Sequence, residues 1–239
     1  MTLARAPRSV ALTAILAAGL VVTTEAEGPS PTQSLSRLKA GNTTFVANAS
    51  EPLPIDGAKR SALAGGEHPF ASILSCADSR VPPEVIFHTG LGDLFVVRAA
   101  GQITDRAVLA SLEYSTQQLH VPLLVVMGHE SCDAVKSAIE TPEGQSLGPN
   151  LDYLLKQIRP AVNRTGSQVA DAVHLRAAIL ENVEEQINDL LQGSAMLKHM
   201  AETNEIALVG AYYELATGSV HFSEIVKVAP ATRVTASHH

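Results

Sequence analysis

The sequence predicts an α/β fold: a mainly parallel four-stranded sheet with an antiparallel edge strand, helices on both faces and an N-terminal helical arm. Two observations carry this reading. Short, largely apolar runs at 70–76, 93–97, 122–127 and 206–212 have the length and composition of strands buried on both faces. Between them, apolar residues recur every three or four positions, the spacing of a helix laid on a sheet. Alternation of the two is the pattern of parallel strands joined by helical crossovers. At 46% hydrophobic and 17% charged residues the composition is globular.

Residues 1–26 read as a secretory signal peptide. Arg5 and Arg8 precede 13 uncharged, mostly apolar residues at 10–22, and Thr24-Glu25-Ala26 offers a cleavage site. Thirteen residues fall short of the roughly 20 that span a bilayer, so cleavage is favoured over an anchor. The expected location is periplasmic or secreted, with no membrane partner once the leader is gone. The formal charge of −7 becomes −8 when Arg5, Arg8 and Glu25 leave, and no Lys/Arg cluster stands out, so nucleic acid is not an expected partner. The remaining chain divides into an N-terminal helical arm at 27–69, one α/β domain at 70–229 and a C-terminal tail at 230–239.

In the arm, Leu35, Leu38, Phe45 and Val46 suggest a helix over 34–48, weakened by Gly41. A short helix over 58–64 is ended by Gly65-Gly66. The arm has little core of its own and is expected to pack on something else. The first strand, 70–76, is followed by a turn at Pro82-Pro83 and a short helix at 85–88. After the second strand, Val108, Leu109, Leu112 and Leu119 mark a helix within 103–119, with Asp105 near its positive end. The third strand delivers Gly128-His129, and Ser131 is the expected cap of a helix reaching Glu140. Leu151, Leu154, Leu155 and Ile158 mark a helix stopped at Pro160. The longest helix, 169–191, is expected to bury Val173, Ala177, Leu180, Ile187 and Leu191. A strand at 206–212 and an edge strand at 220–222 meet at a Thr217-Gly218 turn.

The chemistry concentrates in two short stretches, Cys76-Ala77-Asp78-Ser79-Arg80 and His129-Glu130-Ser131-Cys132. They hold both cysteines of the chain, and each follows an apolar strand. Ligands of open α/β sheets bind at the carboxyl ends of strands. Two thiols and an imidazole are three of the four ligands zinc takes, and a catalytic site leaves the fourth position open. Buried apolar cysteines, or a disulfide in an exported protein, are the alternatives. Neighbouring Asp78 and Arg80 favour a catalytic centre, because a closed structural site has no use for them. His129-Glu130 does not begin a zinc-protease HExxH, since the fifth residue is Asp133. A phosphate-binding loop, a nucleophile elbow and a CxxC redox pair are all absent.

At these residues the sequence resembles the β-class carbonic anhydrases, whose pattern is Cys-x-Asp-Ser-Arg and, some fifty residues on, His-x-x-Cys. GDLFVVRAAG at 92–101, LEY at 112–114 and LKAGNTTF at 38–45 extend the likeness over about 35–225. The resemblance implies Zn2+ held by Cys76, His129 and Cys132, with Asp78 orienting an activated water or closing onto the metal as fourth ligand, and Arg80 holding Asp78 away. It implies reversible hydration of carbon dioxide to bicarbonate and a proton. The alternatives are a related zinc hydrolase acting on carbon disulfide or carbonyl sulfide, and a non-enzymatic zinc-binding protein. The resemblance also implies a homodimer or higher even oligomer, with the arm packed on the partner subunit. Phe95 and Tyr114 would then line a substrate channel partly contributed across the dimer.

Three positions depart from or qualify the family pattern. Glu67 falls where many members carry a substrate-binding glutamine, and Asp133 where members have glycine, so both are candidate channel carboxylates. Arg98 matches an arginine that binds inhibitory bicarbonate in one branch, but that branch carries a tryptophan where Ile73 stands here, and this chain has none. Arg98 is therefore expected to pair structurally with carboxylates.

Overall fold

The computed structural model describes residues 28–48, 52–166 and 169–229. The expected leader at 1–26 and tail at 230–239 lie outside the described residues. Among the described residues five strands form one sheet: β1 (Ala71–Cys76), β2 (Leu94–Ala99), β3 (Leu123–His129), β4 (Ala207–Tyr213) and β5 (Val220–Ile225). Their order is β2-β1-β3-β4-β5, parallel except for β5, which runs antiparallel at the edge. β1, β3 and β4 are buried along their whole length, which is why their sequences are mostly apolar and do not alternate, with Ser72, Ser75 and His129 as buried polar exceptions. The chain leaves β1 toward β2 on one side and returns to place β3 on the other. The crevice between β1 and β3 is thus the topological switch point of the sheet, the place where open α/β sheets bind ligands.

One sheet face is covered by α1 (Pro31–Val46) and α3 (Pro83–Ile86), through Leu35, Leu38, Ile86 and Phe87 against Ile73, Val125 and Met127. α1 begins earlier than its apolar spacing suggests, because Ser30 and Gln33 form a capping box ahead of Pro31. Leu35 and Leu38 pack it on the sheet of its own chain. In the second arm helix, α2 (Gly57–Leu63), no residue is buried. α3 starts at Pro83, at the point where a turn was expected, since proline suits the first helical turn. The other face carries α4 (Arg106–Gln117), α5 (Asp133–Glu140), α6 (Pro149–Thr165), α7 (Ala172–Gly193) and α8 (Ala195–Glu202).

Two expectations about these helices are corrected. Pro160 does not end α6, which continues to Thr165. Pro160 and Lys156, four residues before it, are exposed, so the carbonyl that loses its partner faces solvent. In α7 the buried stripe is Leu175, Ala178, Ile179, Asn182, Val183, Gln186, Ile187 and Leu190. Of the residues expected there, Val173 is 76% and Leu180 42% exposed. Two polar side chains, Asn182 and Gln186, occupy the buried face and disguise its period. α8 had no counterpart in the sequence reading; it starts from a Ser194 side-chain cap immediately after α7.

Gly41 has a structural reason that outweighs its low helix propensity. A Cβ at this position would lie 1.9 Å from the Phe87 carbonyl oxygen, so only glycine lets α1 approach α3 this closely. In urea unfolding, Gly41→Ala is expected to lower stability by about 1–3 kcal/mol from overpacking, despite about 0.5–1 kcal/mol of helix propensity gained. A midpoint at or above wild type would show that the α1–α3 contact yields freely.

Candidate metal centre

β1 ends on Cys76 and the adjacent β3 ends on His129; with Ser75 opposite Met127, Cys76 is level with Gly128 and His129 leaves the sheet one residue further on. The chain then turns sharply through Ser131, whose φ of 53° lies in the left-handed region, and brings Cys132 back to the same point. Ser131 is therefore not the expected cap. Cys132 stands at the N-cap of α5 without a side-chain cap bond. Cys76, His129 and Cys132 are all buried, and their Sγ, nitrogen and Sγ atoms lie within 4.8 Å of one another.

The two sulfurs are 4.0 Å apart and unbonded. A tetrahedral zinc with Zn–S bonds of about 2.3 Å spaces its sulfurs at about 3.8 Å, so the pair fits that ion. The two thiols share a hydrogen bond that, with the backbone amides of Asp78 and Gly101 and against burial, holds Cys76 below its ordinary range. The same bond, with burial, pushes Cys132 up. A dication between the sulfurs would favour both as thiolates. His129 Nδ1 lies 2.9 Å from the Glu130 carbonyl, which can only accept, so Nδ1 carries the hydrogen. Nε2 is left with its lone pair free, buried and without a hydrogen-bond partner, as a metal ligand would be.

Beside this group, Arg80 grips Asp78 bidentately: Nε to Oδ1 at 2.9 Å and Nη2 to Oδ2 at 2.6 Å, with the Arg80 amide also on Oδ1 at 2.9 Å. Asp78 Oδ2 lies 4.0 Å from His129 Nε2. Arg80 holds the Asp78 carboxyl down to about 2. Its ordinary value is about 3.9, so the pair's contribution to stability is present above about pH 4 and is lost as the pH falls through 2. At working pH Asp78 only accepts hydrogen bonds. Arg80 also reaches the Ser131 carbonyl at 3.4 Å, tying the two motifs together. Arg98 pairs with carbonyls rather than the expected carboxylates, donating to Cys76 O at 3.1 Å and Asp78 O at 2.5 Å.

A family model described as carbonic anhydrase matches residues 71–220. The chain belongs to the carbonic anhydrase family. Among curated relatives, carbonic anhydrase 2 of Mycobacterium tuberculosis is 38% identical over 192 residues, covering 79% of this chain and 90% of the relative. The carbonic anhydrase of Mycolicibacterium smegmatis is 36% identical over 208 residues, covering 83% and 98%. Among solved structures, the β-carbonic anhydrase CcaA superposes with a TM-score of 0.63 at 26% identity, over 79% of this chain and 94% of its own. A tetrameric β-carbonic anhydrase of Sordaria macrospora shares the fold, at 22% identity and TM-score 0.63 over 81% of this chain and 95% of its own. Membership in the β class makes zinc the metal of this centre.

The other residues that the carbonic anhydrase likeness singled out are placed differently. Asp133 is exposed in the first turn of α5, next to Cys132 and close enough for its charge to act on Arg80. Glu67 is exposed ahead of β1, at the opposite end of the strand from Cys76; six strand residues make that roughly 20 Å. Phe95 is in register with Ser72, four residues before Cys76, and meets Tyr114 at a centroid distance of 6.4 Å. Tyr114 is 52% exposed. The fold therefore gathers Cys76, Asp78, Arg80, His129, Cys132 and Asp133, and leaves Glu67, Phe95 and Tyr114 away from the centre of their own chain.

The sequence reading missed the residues that hold this carbonic anhydrase site from behind. A 3₁₀ turn (Ala100–Gln102) follows β2, and Gly101, with φ 65°, donates its N–H to Cys76 Sγ at 3.3 Å. Asn182 of α7 donates to the Gly101 carbonyl at 2.8 Å, and Gln186 accepts from Thr104 N at 2.6 Å. The available signal was two amides four residues apart on a helix with few other interruptions in its apolar stripe.

The purified protein should carry one zinc per chain. With three protein ligands and no spare, Cys76→Ser, His129→Ala and Cys132→Ser should each lose most of it by metal analysis. Full zinc in any two of these variants would remove them from the ligand set.

Proposed function

We propose that this chain catalyses the reversible hydration of carbon dioxide to bicarbonate and a proton, with zinc held by Cys76, His129 and Cys132. The observation that carries the reading is the Asp78–Arg80 pair beside the three buried ligand atoms. When bound, zinc supplies a Lewis acid that lowers the pKa of a water toward neutrality. Asp78, ionised and acceptor-only, would accept a hydrogen bond from a water beside the three ligand atoms and orient it toward carbon dioxide. Arg80 keeps both Asp78 oxygens engaged and so keeps the carboxylate from taking the open position. Gly101 N–H stabilises the Cys76 sulfur, and His129 presents Nε2 because Nδ1 is held by the Glu130 carbonyl.

The unit at 70–229 is read as the catalytic domain, with the arm at 27–69 ahead of it and the tail at 230–239 behind. We read the assembly as a homodimer or higher even oligomer. Phe95 and the exposed Tyr114 stand away from their own metal group, and a channel lined by them requires a second chain. The export pattern at 1–26 supports a periplasmic or secreted enzyme, its leader removed. Among the described residues no helix is long and apolar enough to cross a membrane.

Stopped-flow hydration of carbon dioxide on the zinc-loaded protein tests the reading, with carbon disulfide and carbonyl sulfide assayed in parallel. Turnover of carbon dioxide that disappears with the metal is the expected result; turnover of the sulfur compounds alone would reassign the substrate. Asp78→Asn should keep zinc and lose about 10–100-fold in kcat/KM, as removal of an orienting group does. Arg80→Ala should lose activity by freeing Asp78 to reach the metal, and wild-type turnover in that variant would refute the gate.

A further inference from the structure

We infer that Glu130 is a positioning residue for the metal: its side chain fastens the peptide that orients the His129 ring to the turn between β4 and β5. The inference rests on the zinc reading above and assigns a role to a residue lying between two ligands. Glu130 follows the last residue of β3, and its backbone is held on both sides. Its N–H donates to the Tyr213 carbonyl at 2.8 Å, extending the β3–β4 ladder past His129. Its carbonyl accepts from His129 Nδ1 at 2.9 Å. Its side-chain Oε2 accepts from two successive amides of the turn, Leu215 N at 2.9 Å and Ala216 N at 3.4 Å.

The turn is itself a fixed frame. Glu214 N donates to Ser219 O and Gly218 N to Glu214 O, both at 2.9 Å. Asn42 of α1, buried, donates to the Gly218 carbonyl at 2.8 Å and accepts from Val220 N at 2.9 Å. The carboxylate thus ties the ring's acceptor to a loop that three elements hold. An imidazole rotates easily about its Cβ–Cγ bond, since that torsion has broad wells. The direction of Nε2 is therefore set by where the Glu130 carbonyl sits, and the Glu130 side chain holds that peptide together with the N–H bond to Tyr213. A role confined to capping the turn would lower stability and leave the metal untouched, which separates the two by experiment.

The test measures zinc affinity of the full chain by competition with a chromophoric chelator, and the ligand-field spectrum of the Co2+-substituted protein. Wild type, Glu130→Gln and Glu130→Ala are compared, with thermal midpoints recorded alongside. Glu130→Ala should bind zinc about 10–100-fold more weakly and shift the Co2+ bands, the usual scale for loss of an outer-shell partner. Glu130→Gln keeps an acceptor oxygen at the same reach and should stay close to wild type in both readouts. If Glu130→Ala does not fold, Glu130→Asp, one methylene short of the turn, should show an intermediate loss. Unchanged affinity and spectrum in the folded variant, even with a lowered midpoint, would overturn the inference alone. Failure of wild type to take up zinc would overturn the metal centre and this inference with it.

Discussion

The parallel pairing of β1 with β3 is the constraint on which the rest of the structure depends. It sets Cys76 within one residue of His129 where the sheet changes direction, and both strands are buried on two faces, which holds their register. A one-residue shift of either strand would turn its side chains to the other face and move its ligand out of place. The third ligand needs no further long-range contact. Three residues beyond His129, the left-handed turn at Ser131 returns Cys132 to the same corner, and α5 starts there. The metal group is thus a consequence of strand register plus one tight turn.

Around this corner the charges are arranged to serve the backbone as much as one another. Arg80 neutralises Asp78 and also reaches the Ser131 carbonyl; Arg98 takes the carbonyls of Cys76 and Asp78 as they leave the sheet. Both arginines use several donors of one planar fork, which a lysine could not reproduce. The result is a carboxylate that stays ionised and engaged beside a buried sulfur pair. Repulsion between these like charges is contained by the guanidinium between Asp78 and solvent, and by amide N–H groups on Cys76.

The α/β class, the strand order's mainly parallel character and the five motif residues were legible because each rests on local sequence. Buried strands are mostly apolar runs, and the two motifs follow them directly. What escaped was set by tertiary contact. The buried face of α7 includes Asn182 and Gln186, so an apolar count chose Val173 and Leu180 instead. Those amides are inside because the Gly101 carbonyl of the 3₁₀ turn and the Thr104 N–H just after it need partners. Pro160 was read as a stop because sequence does not say that its missing bond falls on the wet side of α6. Gly41 was read as a weakness because the Phe87 carbonyl that requires it is 46 residues away in the chain.

The placement of Glu67, Phe95 and Tyr114 separates two properties that family likeness joins. Every ligand atom of the candidate metal group comes from one end of the sheet within one chain. Glu67 and Phe95 belong to the amino-terminal ends of β1 and β2, and no rotamer spans the length of a strand. On the dimeric reading, the channel is then a property of the assembly and the metal a property of the fold. The β1–β3 crevice secures the second with buried hydrogen bonds, whereas the first rests on a half-exposed aromatic pair. The single chain therefore commits its buried contacts to the ligands and leaves the approach to them for another surface to define.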